Sequence, residues 1–333
     1  MNRNMKQWAA DLIAASHKNP LPLLSFPCVR LLDVTVKELL MDSALQAKGM
    51  KLAADRVPSA AAVSFMDLSL EAEAFGAEIR MGNDEVPTVL GALISDEDEA
   101  ENLTIPTAGA GRTGICLEAI RLAAREITDR PVLAGIIGPY SLAGRLMDVS
   151  EILYACYDEP DMVHTVLEKA TQFLIRYGTA FREAGADGIV MAEPLTGLLS
   201  PALAEEFSHP YAKKIVDALQ TEDFAVIYHN CGDNVPHMIS GIYGLGALGY
   251  HFGDAIDLMQ VLPQAPEDAL VMGNISPVQE FRGGTPESMA AATRELLRRC
   301  GGYPNFVISS GCDIPPQAPW ENIDAFFRSA KGE

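Results

Sequence analysis

The residues best suited to chemistry are one histidine and two cysteines that stand at the ends of apolar runs. His229 and Cys231 lie two positions apart just after the run 224–227, and Cys312 follows the run 306–308. Imidazole nitrogen and cysteine sulfur together suit a borderline-soft ion such as Zn²⁺, and catalytic zinc sites use three protein ligands with a fourth position open. Any one of these residues could stand at a strand end by chance. Three of them, two in a His-x-Cys pair, predict a metal site.

Such a site needs a fold that brings distant strand ends together. The chain alternates eight short apolar runs with segments of helical period, which predicts a (β/α)₈ TIM barrel. In a barrel all strands end on one face, whereas an open parallel sheet aligns its strand ends in a row. The barrel can therefore bring Cys312 beside His229. The predicted strands are 23–26, 60–65, 131–137, 188–191, 224–227, 247–250, 270–273 and 306–308.

Two additions to this barrel are predicted. Residues 4–16 form an amphipathic helix before the first strand, and residues 77–95, with a turn at 82–84, form a hairpin inserted after the second strand. Further helices are predicted at 34–54, 96–103, 114–128, 150–156 and 161–184, and Ser200 is the predicted N-cap of a helix that begins at Pro201.

Composition limits the classes of function. The chain of 333 residues is expected to form one domain, 1–333, because α/β barrels exceed the usual domain size. Its 25 Lys and Arg against 45 Asp and Glu give a net charge of −20, which repels phosphate backbones and anionic membranes. Nucleic acid and membranes are therefore not expected partners. Six scattered cysteines lack the spacing of a disulfide scaffold and indicate a reducing cytoplasm.

Four stretches of the chain resemble the uroporphyrinogen decarboxylase superfamily, and within it the methylcobalamin:coenzyme M methyltransferases and related corrinoid-dependent enzymes. They are 229–232 (His-Asn-Cys-Gly), 310–315 (Ser-Gly-Cys-Asp-Ile-Pro), 71–77 (Glu-Ala-Glu-Ala-Phe-Gly-Ala) and 186–188 (Ala-Asp-Gly). The resemblance extends from about the first predicted strand to the last. In the methyltransferase branch the His-x-Cys pair and the distal cysteine bind zinc, which implies the same role for His229, Cys231 and Cys312.

The resemblance implies a zinc-dependent transfer of a methyl group from a methylated corrinoid, such as methylcobalamin, to a thiol such as coenzyme M. One histidine and two thiolates around Zn²⁺ sum to zero charge, so a substrate thiolate bound there stays ionised and can attack the methyl group on Co(III). The corrinoid is expected on a separate small corrinoid protein that docks at the barrel mouth. The sequence does not determine whether the acceptor is coenzyme M, a folate or another thiol, nor does it determine the oligomeric state.

Five further residues near strand ends are candidates for the site. Glu193 is expected to act as a fourth zinc ligand or a base, with capping of the following segment as the alternative. Asp67, the second catalytic candidate, stands where the superfamily's decarboxylases place the aspartate that faces the pyrrole nitrogens. His251, Asn274 and Tyr140 are candidates for contact with the corrinoid. The alternative is packing in the core for His251 and holding a loop for Asn274.

Two other functions remain open. A tetrapyrrole decarboxylase would need a pair of arginines near the first strand to hold the substrate's carboxylates, and residues 22–33 contain only Arg30. A non-catalytic corrinoid-binding or metal-storage protein would bind without turnover. The sequence favours the methyltransferase, with the decarboxylase second.

Overall fold

A parallel sheet of seven strands forms the centre of the protein, in a computed structural model that describes residues 3–332. The strands are β1 (Ala62–Val63), β2 (Ile79–Arg80), β3 (Thr88–Val89), β4 (Val132–Ile137), β5 (Gly188–Ala192), β6 (Ala225–Asn230), β7 (Gly249–Phe252), β8 (Leu270–Ile275) and β9 (Phe306–Ser310). Strands β2 and β3 form a separate pair, and the others lie side by side in chain order, each parallel to its neighbours. Their carboxyl ends therefore share one edge of the sheet.

The sheet curls, so that its two outer strands meet at one segment, 20–24. The amide of Leu21 donates a hydrogen bond to the carbonyl of Ile308 in β9 (2.9 Å). On the other side, the amide of Ala60, just before β1, donates to the carbonyl of Pro20 (2.9 Å). The segment joins the first and last strands of the sheet, and the architecture is TIM-barrel-like.

The segment 23–26, predicted as the first of eight strands, is not a strand. Pro20 and Pro22 lack the amide hydrogens that a strand ladder requires, and Phe26–Cys28 forms a 3₁₀ turn. The other seven predicted strands are confirmed with shifted ends. Most of them extend further toward the carboxyl edge than predicted, so that His229 lies within β6 and His251 within β7.

Helices follow the strands and pack around the sheet. They are α1 (Met5–Ala14), α2 (Val29–Leu32), α3 (Val36–Leu40), α4 (Ser43–Arg56), α5 (Leu70–Phe75), α6 (Glu97–Asn102), α7 (Thr113–Glu126), α8 (Pro139–Met147), α9 (Val149–Asp158), α10 (Pro160–Ala184), α11 (Pro201–Phe207), α12 (His209–Leu219), α13 (Val235–Tyr243), α14 (Pro286–Cys300) and α15 (Trp320–Ala330). Within residues 3–332, none of these helices combines the length and the apolar character that crossing a membrane requires.

Capping side chains determine where two of the predicted helices begin. The helix predicted at 34–54 is divided into α3 and α4, because the Asp42 carboxylate accepts from the amides of Ala44 and Leu45 and begins a new helix. The predicted N-cap at Ser200 is confirmed, since its hydroxyl accepts from the Leu203 amide at 3.3 Å.

The segment 77–95 contains a short antiparallel pair. Ile79 pairs with Val89 and Arg80 with Thr88, two residues on each strand. The residues between these strands bend at 83–85. This pairing is much smaller than the segment predicted to form a hairpin.

Alternate residues of each strand point into the barrel. In β6, Ile227 packs in the inner apolar cluster and Tyr228 packs in the outer one against the helices. His229 comes next and by this period of two points inward. His251 pairs with it in register in β7, and Ser309 follows an inner valine of β9 by two positions. The inner face of the sheet is therefore polar at its carboxyl end.

Candidate metal centre

His229, Cys231 and Cys312 converge at the carboxyl edge of the sheet. Nε2 of His229 lies 3.5 Å from Sγ of Cys312, and the potential ligand atoms of all three residues lie within 4.8 Å of one another. His229 is buried, whereas both cysteines are half-buried, so that the sulfur side of the group lies nearer to solvent than the nitrogen side. One nitrogen and two sulfurs in this arrangement suit a borderline-soft ion with a further ligand position open.

The turn after β6 holds Cys231 in place. The side-chain oxygen of Asn230 accepts a hydrogen bond from the Gly232 amide (2.9 Å), which closes a small turn around Cys231. The adjoining loop passes so close that a Cβ atom at Gly253 would lie 2.5 Å from Cα of Cys231. Only glycine at 253 permits this approach. Just past β9, the Gly311 amide donates to the Ile275 carbonyl (2.7 Å) and fixes the backbone before Cys312.

The two cysteines share one proton between them. The hydrogen bond from the Cys312 thiol lowers the pKa of Cys231. The same pairing raises the pKa of Cys312, whose thiol retains the proton. One thiolate is therefore stable in this group, and a bound cation would displace the remaining proton, since metal ligands bind in their deprotonated form.

His251 lies behind His229 and away from solvent. Its Nδ1 is 2.8 Å from Nδ1 of His229, and its Nε2 is 2.8 Å from Oγ of Ser309. The side chain is 0% exposed, and burial lowers its pKa well below the usual histidine range. The predicted contact with a corrinoid is not supported, because both ring nitrogens are engaged inside the protein.

Glu193 is directed at the first turn of α8. One carboxylate oxygen accepts from the Tyr140 amide (2.7 Å), and the other accepts from the amide (3.0 Å) and hydroxyl (2.8 Å) of Ser141 and the hydroxyl of Thr196 (3.2 Å). Burial raises the pKa of Glu193 to about 7, and these hydrogen bonds oppose the rise. The carboxylate caps α8, the helix after the preceding strand, and its oxygens are not among the potential ligand atoms grouped with His229, Cys231 and Cys312.

Tyr140 and Asn274, the other predicted corrinoid contacts, have structural partners. The Tyr140 side chain is fully buried, with its hydroxyl 3.7 Å from Sγ of Cys156. The side-chain amide of Asn274 donates to the carbonyls of Gly253 (2.8 Å) and Ile256 (2.6 Å). Asn274 thus holds the loop that packs against Cys231, which was the alternative weighed from the sequence.

Asp67 lies in a buried ion-pair network. One oxygen accepts from the amide (3.1 Å) and hydroxyl (2.6 Å) of Ser69, and the other is paired with the Arg112 guanidinium. Nε of Arg112 also lies 2.5 Å from the Glu73 carboxylate. Both Asp67 and Arg112 are buried. The Asp67 carboxylate is therefore already neutralised by a neighbouring charge.

Sequence reasoning missed three residues that shape this region: Arg112, Asn230 and Ser309. Ser309 could have been found from the period of two, which places it inside the barrel beside the predicted cysteine. Asn230 stands within the His-x-Cys stretch, and its preference for turns was a usable signal. Arg112 gives no such signal, because its partner lies 45 positions away in the chain.

Known proteins resemble this chain both in sequence and in fold. The sequence profile of the family "Uroporphyrinogen decarboxylase (URO-D)" matches residues 26–332. The methylcobamide:CoM methyltransferase MtbA of Methanosarcina acetivorans is 29% identical over 269 residues, which are 80% of this chain and 77% of that protein. The uroporphyrinogen decarboxylase of Coxiella burnetii is 26% identical over 292 residues, 83% of this chain and 78% of its own. A solved structure of a methyltransferase from Methanosarcina mazei superposes with a TM-score of 0.88 at 23% identity, covering 99% of this chain and 98% of that one, which confirms the TIM-barrel-like fold.

Proposed function

The chain belongs to the uroporphyrinogen decarboxylase (URO-D) family, and from this premise we propose that it is a corrinoid-dependent methyltransferase. It moves a methyl group from a methylated corrinoid to a thiol acceptor such as coenzyme M, with zinc held by His229, Cys231 and Cys312. The observation that carries the proposal is the convergence of one imidazole nitrogen and two sulfurs within 4.8 Å of one another. The relative named as a methylcobamide:CoM methyltransferase supports the same reaction.

The donor set determines what chemistry the site can support. Zn²⁺ bound at these residues would supply a Lewis acid that keeps the acceptor's sulfur ionised at neutral pH and fixes its position. In the overall reaction the acceptor thiol loses its proton, and its sulfur forms the new bond to the methyl carbon. The Co–C bond breaks, and its electron pair stays on cobalt, which passes from Co(III) to Co(I).

The protein's own residues bind and orient the reactants. Cys231 and Cys312 offer two sulfurs at a half-exposed position, whereas His229 closes the buried side. Glu193 has a positioning role, because its amide donates to the His229 carbonyl (2.8 Å) while its carboxylate holds α8. A separate small corrinoid protein brings the methyl donor to the barrel mouth. All six cysteines are free, and the paired ones must stay reduced, which favours the cytoplasm.

Methyl transfer is tested by adding the zinc-loaded protein and a thiol to methylcob(III)alamin without oxygen. We expect spectral conversion to the Co(I) form and a methylated thiol in equal amounts. X-ray absorption at the zinc edge should show about one more sulfur ligand when coenzyme M or another accepted thiol is added, because three protein ligands leave a position open.

Controls in the same assay use the protein stripped by a chelator and a folate acceptor in place of the thiol. An unchanged zinc shell at saturating acceptor, together with no conversion of methylcob(III)alamin by any acceptor, would overturn the methyltransferase proposal and leave a corrinoid-binding role.

Uroporphyrinogen decarboxylation is the second candidate, and the Coxiella relative at 26% identity favours it. The structure opposes it at two places. Arg30 stands without a second arginine in 22–33, and one of its guanidinium nitrogens donates to the Gln317 carbonyl (3.3 Å). Asp67, which would face the pyrrole nitrogens, is neutralised by Arg112.

We therefore expect no decarboxylation of uroporphyrinogen above the uncatalysed background. Without a pair of cations, a substrate with many carboxylates meets a protein of net charge −20 unaided. The measurement is an anaerobic assay for coproporphyrinogen with and without chelator. Product formation that the chelator does not affect would make decarboxylation, not methyl transfer, the better-supported activity.

A further inference from the structure

We infer that His251, Ser309 and the backbone carbonyl of Leu21 form a hydrogen-bond chain with a single possible direction, which holds the ring proton of His229 on Nδ1 and leaves Nε2 bare toward the two cysteines. His251 and Ser309 are then positioning residues for the metal ligand. The role of this hydrogen-bond chain in metal binding rests on the proposed function. The position of the proton on His229 can be measured whether or not that function is correct.

The chain is continuous and buried. Nδ1 of His229 lies 2.8 Å from Nδ1 of His251, whose Nε2 lies 2.8 Å from Oγ of Ser309. That hydroxyl lies 2.7 Å from the carbonyl oxygen of Leu21. His251 and Ser309 are both 0% exposed, so water does not compete for these contacts. The two imidazole rings meet edge to face, with centroids 4.7 Å apart and an angle of 70° between their planes.

The carbonyl at the end of the chain fixes its direction. A carbonyl oxygen can only accept, so the single proton of Ser309 must point at Leu21. The hydroxyl then has only lone pairs for His251, whose Nε2 must carry a proton and donate. A fully buried histidine with no carboxylate among its hydrogen-bond partners stays neutral, so its Nδ1 is bare and accepts. His229 therefore donates from Nδ1, and in its neutral form Nε2 carries no proton.

If the hydrogen bonds ran in the opposite direction, Ser309 would have too few protons for its two partners. If Nδ1 of His251 donated to His229, its Nε2 would be bare and would face Oγ of Ser309 at 2.8 Å. Ser309 has one proton for two acceptors, and whichever contact it left would place lone pair against lone pair in a dry interior. Only the first direction satisfies all three contacts.

The bare Nε2 faces the cysteine sulfurs, with Sγ of Cys312 at 3.5 Å. A proton on Nε2 would point at those sulfurs and would have to leave before a metal could bind. Hydrogen bonding to the far nitrogen of a ligating histidine fixes its tautomer and orientation, and loss of such a partner costs 10–100-fold in metal affinity. The carbonyl of His251 itself, 3.2 Å from Nδ1 of His229, is a second acceptor for the same proton.

The test is the ring-nitrogen spectrum of the reduced, metal-free protein labelled with ¹⁵N-histidine. Long-range proton–nitrogen correlations separate the two tautomers, and the His229 signals are assigned by their absence in His229→Gln. We expect the wild type to carry the proton on Nδ1. In Ser309→Ala we expect a mixture of both tautomers, and a zinc affinity, measured by chelator competition, that falls roughly 10-fold because the His251 carbonyl still accepts.

Ser310→Ala is the matched control. Ser310 is the next residue of β9, equally buried, and its hydroxyl accepts from the Leu23 amide (3.0 Å) without touching either histidine. This variant should keep both the tautomer and the zinc affinity of the wild type.

A wild-type His229 protonated on Nε2 would overturn the inference even if zinc binds and methyl transfer proceeds. Equal losses of zinc affinity in Ser309→Ala and Ser310→Ala, with the tautomer unchanged, would also overturn it. The expected tautomer in a protein that neither binds zinc nor transfers methyl groups would leave the hydrogen-bond chain in place and remove the proposed function.

Discussion

Replacing Cys231 or Cys312 by alanine is expected to remove the zinc and to lower methyl transfer at least ~10³-fold. Each variant leaves two of the three ligands that lie within 4.8 Å of one another, too few for a catalytic zinc site. Charge stabilisation by a metal is worth several kcal/mol, and each ~1.4 kcal/mol changes a rate tenfold. Elemental analysis should find about one zinc per wild-type chain and none in the double variant Cys231→Ala/Cys312→Ala. Circular dichroism should show that the variants keep an intact fold.

Cys300→Ala is the control for these variants. Cys300 is a free, buried cysteine at the end of α14 and is not among the potential ligands grouped with His229, so its loss should leave zinc content and activity unchanged. Full zinc retention in the double variant Cys231→Ala/Cys312→Ala would show that the metal is held elsewhere.

Arg112→Met is expected to destabilise the protein by about 3–5 kcal/mol, the usual cost of removing one partner from a buried ion pair. Arg112 and Asp67 are 4% and 3% exposed in their side chains, so the Asp67 carboxylate would lose the cation paired with it without gaining water. Glu73, also paired with Arg112, would add its repulsion. Chemical denaturation with urea measures the loss of the free energy of unfolding.

The matched control is Arg298→Met on α14. The pair Arg298–Glu295 is formed on the surface, with side chains 71% and 54% exposed, and such pairs contribute only about 0–1 kcal/mol. Equal losses of the free energy of unfolding in the two variants would contradict the view that burial makes the Arg112–Asp67 pair important for stability. Adding Asp67→Asn to Arg112→Met should recover part of the loss, because it removes the uncompensated charge.

The sequence predicted the metal group because that group depends on local patterns. Apolar runs mark strands, and parallel strands end on one face, so His229, Cys231 and Cys312 were expected to meet. The wrong first strand came from weighing the apolar run 23–26 above Pro20 and Pro22, whose missing amide hydrogens were visible in the sequence.

Side-chain contacts that depend on how separate loops and helices pack could not be predicted. Whether Glu193 turns toward the metal group or toward the first turn of α8 depends on how two loops pack. The spacing of apolar residues in the sequence does not encode that packing. The same holds for Arg112 and Asp67, whose pairing needs α7 and the end of β1 to be adjacent. Asp67 was predicted as a site residue from its position, but its pairing with Arg112 could not be predicted.

The segment 20–24 has a consequence for how the protein reaches its finished state. Ser309 and Leu21 are separated by 288 positions, and contacts between chain ends of this kind form late, because closing so long a loop costs entropy before it gains contacts. The hydroxyl that sets the direction of the histidine pair finds its acceptor only when the first and last parts of the chain have met. A nascent or partly folded chain therefore lacks the acceptor that orients the Ser309 hydroxyl, and the hydrogen-bond chain behind His229 is complete only when folding is complete.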